Sequence, residues 1–146
     1  MKSVRMFRDL EVWQAAMGLA VAANELADVL PARQKFELAS QMRRAATSVP
    51  SNIAEGHAYR SDRVFLRHVR IALGSLAELE TQLEVAVRLN YVERDVEQAL
   101  RSDIDRTGQL LHGLRRTLKA SVYRTAINVF ALVAVGSALL WLYIPA

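Results

Sequence analysis

Arg63, Arg67 and Arg70 stand at i, i+4 and i+7, the spacing that gathers side chains on one side of an α-helix at about 100° per residue. An apolar seam that begins Phe65, Val69, Ala72 lies opposite them. One face of such a helix packs and the other is positive. Guanidinium groups make bidentate contacts to phosphate oxygens, so the stripe suits a nucleic-acid backbone, with binding that depends on salt and is largely blind to sequence. Arg60 just before the helix, His68 toward one side, and Arg43 and Arg44 on the preceding segment are candidates to extend the patch. No aromatic residues interleave with these arginines, so a base-stacking platform is not indicated. The alternative is a solvated face pairing with acids on a neighbouring helix or subunit.

Catalytic patterns are missing. His57, His68 and His112 are far apart in sequence, and no HExxH, GxSxG, Walker A or GxGxxG pattern occurs, so metal and nucleotide chemistry lack their usual signatures. Zero cysteines exclude a disulfide framework, a cysteine zinc site and a thiol nucleophile. Gly74 next to Ser75 reads as a point of close helix contact. Glu78, Glu80 and Glu84 read as exposed charge. Asn52, Glu55 and Arg44 are candidates for a buried polar network around Pro50, where freed backbone groups need partners. No enzyme activity, cofactor or metal is expected.

The elements that must position these residues are helical. Hydrophobic residues make up 52% of the 146, with only 6 glycines and 3 prolines, and long alternating β-type runs are absent. The first helix is expected from about Asp9 to Leu30, with Leu10, Trp13, Met17, Ala20, Ala27 and Leu30 near helical spacing and Pro31 ending it. A second covers about Arg33 to His57, with Phe36, Ala39, Met42, Ala46, Val49 and Ile53 on one side, and Pro50 inside it is expected to cause a kink near Val49 rather than a stop. Ser61 and Asp62 are N-cap candidates for the third, whose seam Phe65, Val69, Ala72, Leu76, Leu79, Leu83, Ala86 alternates steps of four and three. The fourth carries Val96, Leu100, Ile104, Thr107, Leu111, Leu114, Leu118 and Val122. Short connections favour an up-and-down, all-α four-helix bundle over residues 1–122.

Net charge is +4, and Arg115, Arg116, Lys119 and Arg124 account for all of it, leaving 15 basic against 15 acidic residues elsewhere. No charged residue follows them. Residues 126–144 would form a helix ~28 Å long, near the ~30 Å hydrocarbon core of a bilayer. The sequence therefore predicts a further apolar helix over 123–146 that anchors the bundle to the inner, cytoplasmic face of a membrane, the four cations staying inside. A fifth helix buried in the bundle or in an oligomer is the competing reading. The N-terminus has no apolar region of the signal-peptide type.

Residues 7–14 (FRDLEVWQ), 41–56 (QMRRAATSVPSNIAEG) and 71–83 (IALGSLAELETQL), in this order, resemble the four-helix-bundle proteins encoded within 23S ribosomal RNA intervening sequences. The accessory variability determinant proteins of diversity-generating retroelements belong to the same wider group. The resemblance covers about residues 5–120 and implies a homopentameric ring with a positive surface for RNA or DNA, no enzyme activity and, in the retroelement branch, a reverse transcriptase as partner. Arg43, Arg44, Asn52, Glu55 and Gly56 fall in its core motif, where they are more architectural than ligand-binding. The apolar tail departs from the family pattern. In a ring all five tails would emerge on one face, able to enter one membrane together. Two functions follow as expectations: a non-catalytic oligomeric nucleic-acid-binding or scaffold protein, or a membrane-anchored adaptor that recruits a protein partner.

Overall fold

Four helices carry the chain: α1 Glu11–Val29, α2 Leu38–Ala58, α3 Asp62–Arg88 and α4 Arg94–Leu142, with short 3-10 helices at Phe7–Asp9 and Ala32–Gln34. The computed structural model describes the backbone of residues 6–34 and 36–142, and their side chains except at 131, 132 and 134–142. Each helix packs on its neighbours in sequence and α1 also packs on α4, which closes an up-and-down square. The third helix follows its heptad pattern: all seven expected seam residues are buried, Val69, Ala72, Leu79, Leu83 and Ala86 completely.

In α1 the buried face matches the expected one in part: Ala20, Ala27 and Leu30 are buried, and Leu10 and Trp13 pack half-buried against the core. Val12, Ala16, Leu19, Ala23 and Leu26 point inward with Ala20 and Ala27, while Met17 reaches the surface. The buried face mixes large residues (Val12, Leu19, Leu26) with alanines, and buried alanines on α1 and on α2 (Ala39, Ala45, Ala46) suit close packing of the two helices. Trp13 stays half-buried and meets Phe7 edge-on at 5.2 Å.

The second helix starts at Leu38, not Arg33. Leu30 is extended and Pro31 has no N–H to continue a helix, so the chain turns through Ala32–Gln34 first. Phe36 is accordingly 85% exposed and takes no place in the seam. Pro50 lies buried inside α2, which continues to Ala58. Side chains reach back along the helix on either side of it, Ser51 donating to the Thr47 carbonyl at 2.9 Å and Asn52 to that of Ser48 at 2.9 Å.

Tight turns join α2 to α3 and α3 to α4, each with one residue in the left-handed region, Arg60 at φ 50° and Asn90 at φ 57°. Ser61 precedes α3 in extended conformation without a side-chain cap bond. The Asp62 carboxylate instead accepts a hydrogen bond from the Ser121 hydroxyl of α4, which marks that end of the bundle.

Beyond Ser121, α4 does not break. It runs to Leu142, an overhang of about 30 Å at 1.5 Å per residue. Tyr123, Ile127, Val129, Phe130 and Val133 are exposed, so these residues are not buried in the chain's own bundle. Among the described residues no helix is long and apolar enough to cross a membrane. Most of the segment 126–144, on which the expectation of a span rests, lies outside the described side chains.

Candidate nucleic-acid interface

Two edges of α3 face two different neighbours. On one edge Ser48 and Ser75 hydroxyls meet at 2.8 Å, and His68 Nδ1 lies 3.1 Å from Asn52 Oδ1, so this edge faces α2. Asn52 Nδ2 donates to the Ser48 carbonyl at 2.9 Å and to Ser48 Oγ at 3.1 Å, leaving its oxygen to accept from His68. The Tyr59 ring stacks on the imidazole at 5.7 Å, and a Glu55 oxygen lies 3.8 Å from it. Asn52 thus belongs to a half-buried polar cluster, formed with Ser48, Ser75 and His68, while Glu55 is exposed and only borders it. Arg44 is exposed and takes no part.

The other edge faces α4. Glu84 there accepts 2.7 Å from Arg88 and 2.5 Å from Arg101, and Arg101 also donates to Glu97 at 2.8 Å. The hydrogen bonds from Arg88 first, then Arg101, hold the Glu84 carboxyl below its ordinary range. A carboxyl lowered on folding adds stability that is present above its unfolded pKa and is lost as pH falls through the folded one. Glu84→Gln is expected to lower the melting temperature near neutrality, with the difference from the parent vanishing in strong acid. Parallel melts at the two pH values check this.

Arg63, Arg67 and Arg70 are exposed on α3, and among the described residues none of them has a carboxylate partner. Pairing with acids of the same chain is therefore not what occupies them. Arg60 leads into this group from the α2–α3 turn. Holding a non-glycine residue in the left-handed region costs about 1 kcal/mol, so Arg60→Gly is expected to raise the stability of the bundle by that order. The same change removes a cation, so polyanion affinity should fall while the melting temperature rises.

Arg43 and Arg44 do not join the stripe. Arg43 is ion-paired with Asp28 of α1, and the contacts of Ser48 with Ser75 and Asn52 with His68 set Arg44 level with Glu78, about 12 Å along α3 from Arg70 at 1.5 Å per residue. Close helix contact at Gly74 is also absent: a Cβ there would meet nothing within 4 Å. That role belongs to Gly56, where a Cβ would come within 2.6 Å of the Phe65 ring and 2.7 Å of His68 Cβ. Gly56 is what lets the end of α2 lie against the start of α3 and so fixes the base of the arginine stripe.

The sequence treats the cations of α4 as a boundary marker, whereas the antiparallel packing sets them beside α3. Residues 63–77 contain no Asp or Glu, nor do residues 106–146. Asp62 bonded to Ser121 and Glu84 bonded to Arg101 bring these two acid-free stretches alongside each other. Arg115, Arg116 and Lys119, all exposed, thereby share one end of the bundle with Arg63, Arg67 and Arg70. Among the described residues no group of three or more His, Asp or Glu is placed to hold a metal ion.

The sequence model of the family described as 23S rRNA-intervening sequence protein matches residues 8–113. A solved structure from Bacteroides thetaiotaomicron, a protein of unknown function from the S23 ribosomal protein family, is similar at a TM-score of 0.67 and 28% identity, over 72% of this chain and 95% of that one. No curated protein matches. The matched range takes in all of α1, α2 and α3 and stops within α4, before Arg115.

Proposed function

The chain belongs to the 23S rRNA-intervening sequence protein family, and from that membership and the charge geometry we propose a non-catalytic oligomeric protein that binds or scaffolds nucleic acid through the α3 arginine face. The carrying observation is that Arg63, Arg67 and Arg70 are exposed without carboxylate partners among the described residues, on a stretch that has no acid of its own. Such a face attracts phosphates by charge and carries no base-reading geometry, so RNA and DNA strands bind alike. Met17 and Val21 of α1 and Val96 of α4 are exposed apolar residues on the opposite side, which supports self-association there, in a pentamer as the family resemblance implies. Fluorescence titration with labelled RNA and DNA at two salt concentrations tests the binding, and sedimentation tests the assembly. Binding should weaken steeply with salt. Failure to bind at low salt contradicts the proposal.

A second reading, a membrane-anchored adaptor for a protein partner, is favoured by one observation: the unbroken continuation of α4 with Ile127, Val129, Phe130 and Val133 exposed above the cations. Full-length protein should then resist alkaline extraction from membranes. Complete recovery in the soluble fraction without detergent removes this reading.

A further inference from the structure

The register between α3 and α4 carries the nucleic-acid reading to a particular pair of residues. Along the α4-facing edge of α3, Glu84, Ala77, Arg70 and Arg63 recur every seven residues, and along the α3-facing edge of α4 so do Arg101, Gly108, Arg115 and Val122. Three contacts fix how the two edges meet. Glu84 pairs with Arg101, a Cβ on Gly108 would touch Leu76 at 3.4 Å, and Asp62 bonds Ser121. Counting along the antiparallel helices from Glu84 and Arg101 sets Ala77 level with Gly108 and Arg70 level with Arg115. The position that holds an ion pair two heptads away therefore holds two arginines, both exposed, neither with a carboxylate among the described residues.

We infer that Arg70 and Arg115 clamp a phosphodiester group of a nucleic-acid strand lying in the α3–α4 groove. This deepens the proposed function and rests on it. Two guanidinium groups facing each other repel when the groove is empty, and a phosphate between them converts that repulsion into charge-assisted hydrogen bonds on both sides. Ala77 and Gly108 at the next level, with Gly74 beside them, leave a low floor on which the adjoining sugar can approach. Arg67 and Lys119 flank the clamp on the solvent side and continue its positive track. The strand follows the groove between α3 and α4 and does not cross α2, where Arg43 is already held by Asp28.

The test is Arg115→Glu in the full chain, with Arg115→Gln and Arg115→Lys beside it, read by thermal melting at low salt and by titration with a fluorescein-labelled single-stranded RNA. Arg115→Glu restores an ion pair with Arg70, so it should melt higher than the parent and yet lose RNA affinity tenfold or more. Arg115→Gln should lose affinity without a drop in melting temperature, and Arg115→Lys should keep most of both. RNA added to the parent should raise its melting temperature. If Arg115→Glu binds RNA like the parent while Arg63, Arg67 and Arg70→Ala abolish binding, the clamp is wrong and the proposed function stands. If neither set changes binding, the proposed function itself falls and the clamp with it. A lowered melting temperature for Arg115→Glu contradicts the register on which the clamp rests.

Discussion

Gly56→Ala destabilises the bundle by about 2–3 kcal/mol, the range of a core forced to accept an extra methyl group. The new Cβ would stand 2.6 Å from Phe65 Cδ2 and 2.7 Å from His68 Cβ. The Phe65 ring is buried, and His68 Cβ is fixed directly to the α3 backbone, so relief requires the helices to part. Parting them would also strain the Asn52–His68 and Ser48–Ser75 hydrogen bonds that couple the same two helices. Gly18→Ala is the control. Nothing lies within 4 Å of a Cβ at Gly18 in α1, and alanine there gains the ordinary helical preference of about 1 kcal/mol over glycine. Urea unfolding of the two variants should show opposite shifts from the parent midpoint.

Replacing Arg63, Arg67 and Arg70 together by alanine lowers affinity for single-stranded RNA on the order of a hundredfold at low salt, taking about 1 kcal/mol for each exposed cation lost. The fold should survive, since the three side chains are exposed and none of them anchors a carboxylate among the described residues. Alanine also suits a helix interior at least as well as arginine. An unchanged far-ultraviolet circular dichroism spectrum with lost binding separates this outcome from unfolding.

The parts of the fold that were legible in the sequence are those in which one residue type reports one environment. The α3 seam carries five large apolar residues and two alanines at heptad spacing, and all seven are buried. On α1, where four alanines share the buried face with Val12, Leu19 and Leu26, size is a poorer guide, and bulky Met17 reaches the surface. The Pro50 position was legible for a similar reason: proline marks a missing N–H wherever it stands, though the helix continues through it.

The site divides along the same line. The stripe Arg63, Arg67, Arg70 needs only the period of its own helix and is found on one exposed face. Whether Arg43 joins it depends on a neighbouring helix, and there Asp28 of α1 captures it. The partnership of Arg70 with Arg115 depends on the register of two antiparallel helices, which is fixed by tertiary contacts such as Glu84 with Arg101 and Asp62 with Ser121. A heptad count started from Arg101 gives the phase of Arg115, but it cannot supply the partner edge.

The most direct measurement is the slope of log affinity against log salt for one single-stranded RNA, taken on the parent, the Arg63, Arg67 and Arg70→Ala variant, and an Arg43 and Arg44→Ala variant. Each lost phosphate contact on a single strand flattens that slope by about 0.7. The α3–α4 face predicts a slope shallower by about 2 for the first variant, with the second keeping the parent's slope. Equal slopes for the parent and the first variant, or flattening confined to the second, would contradict it.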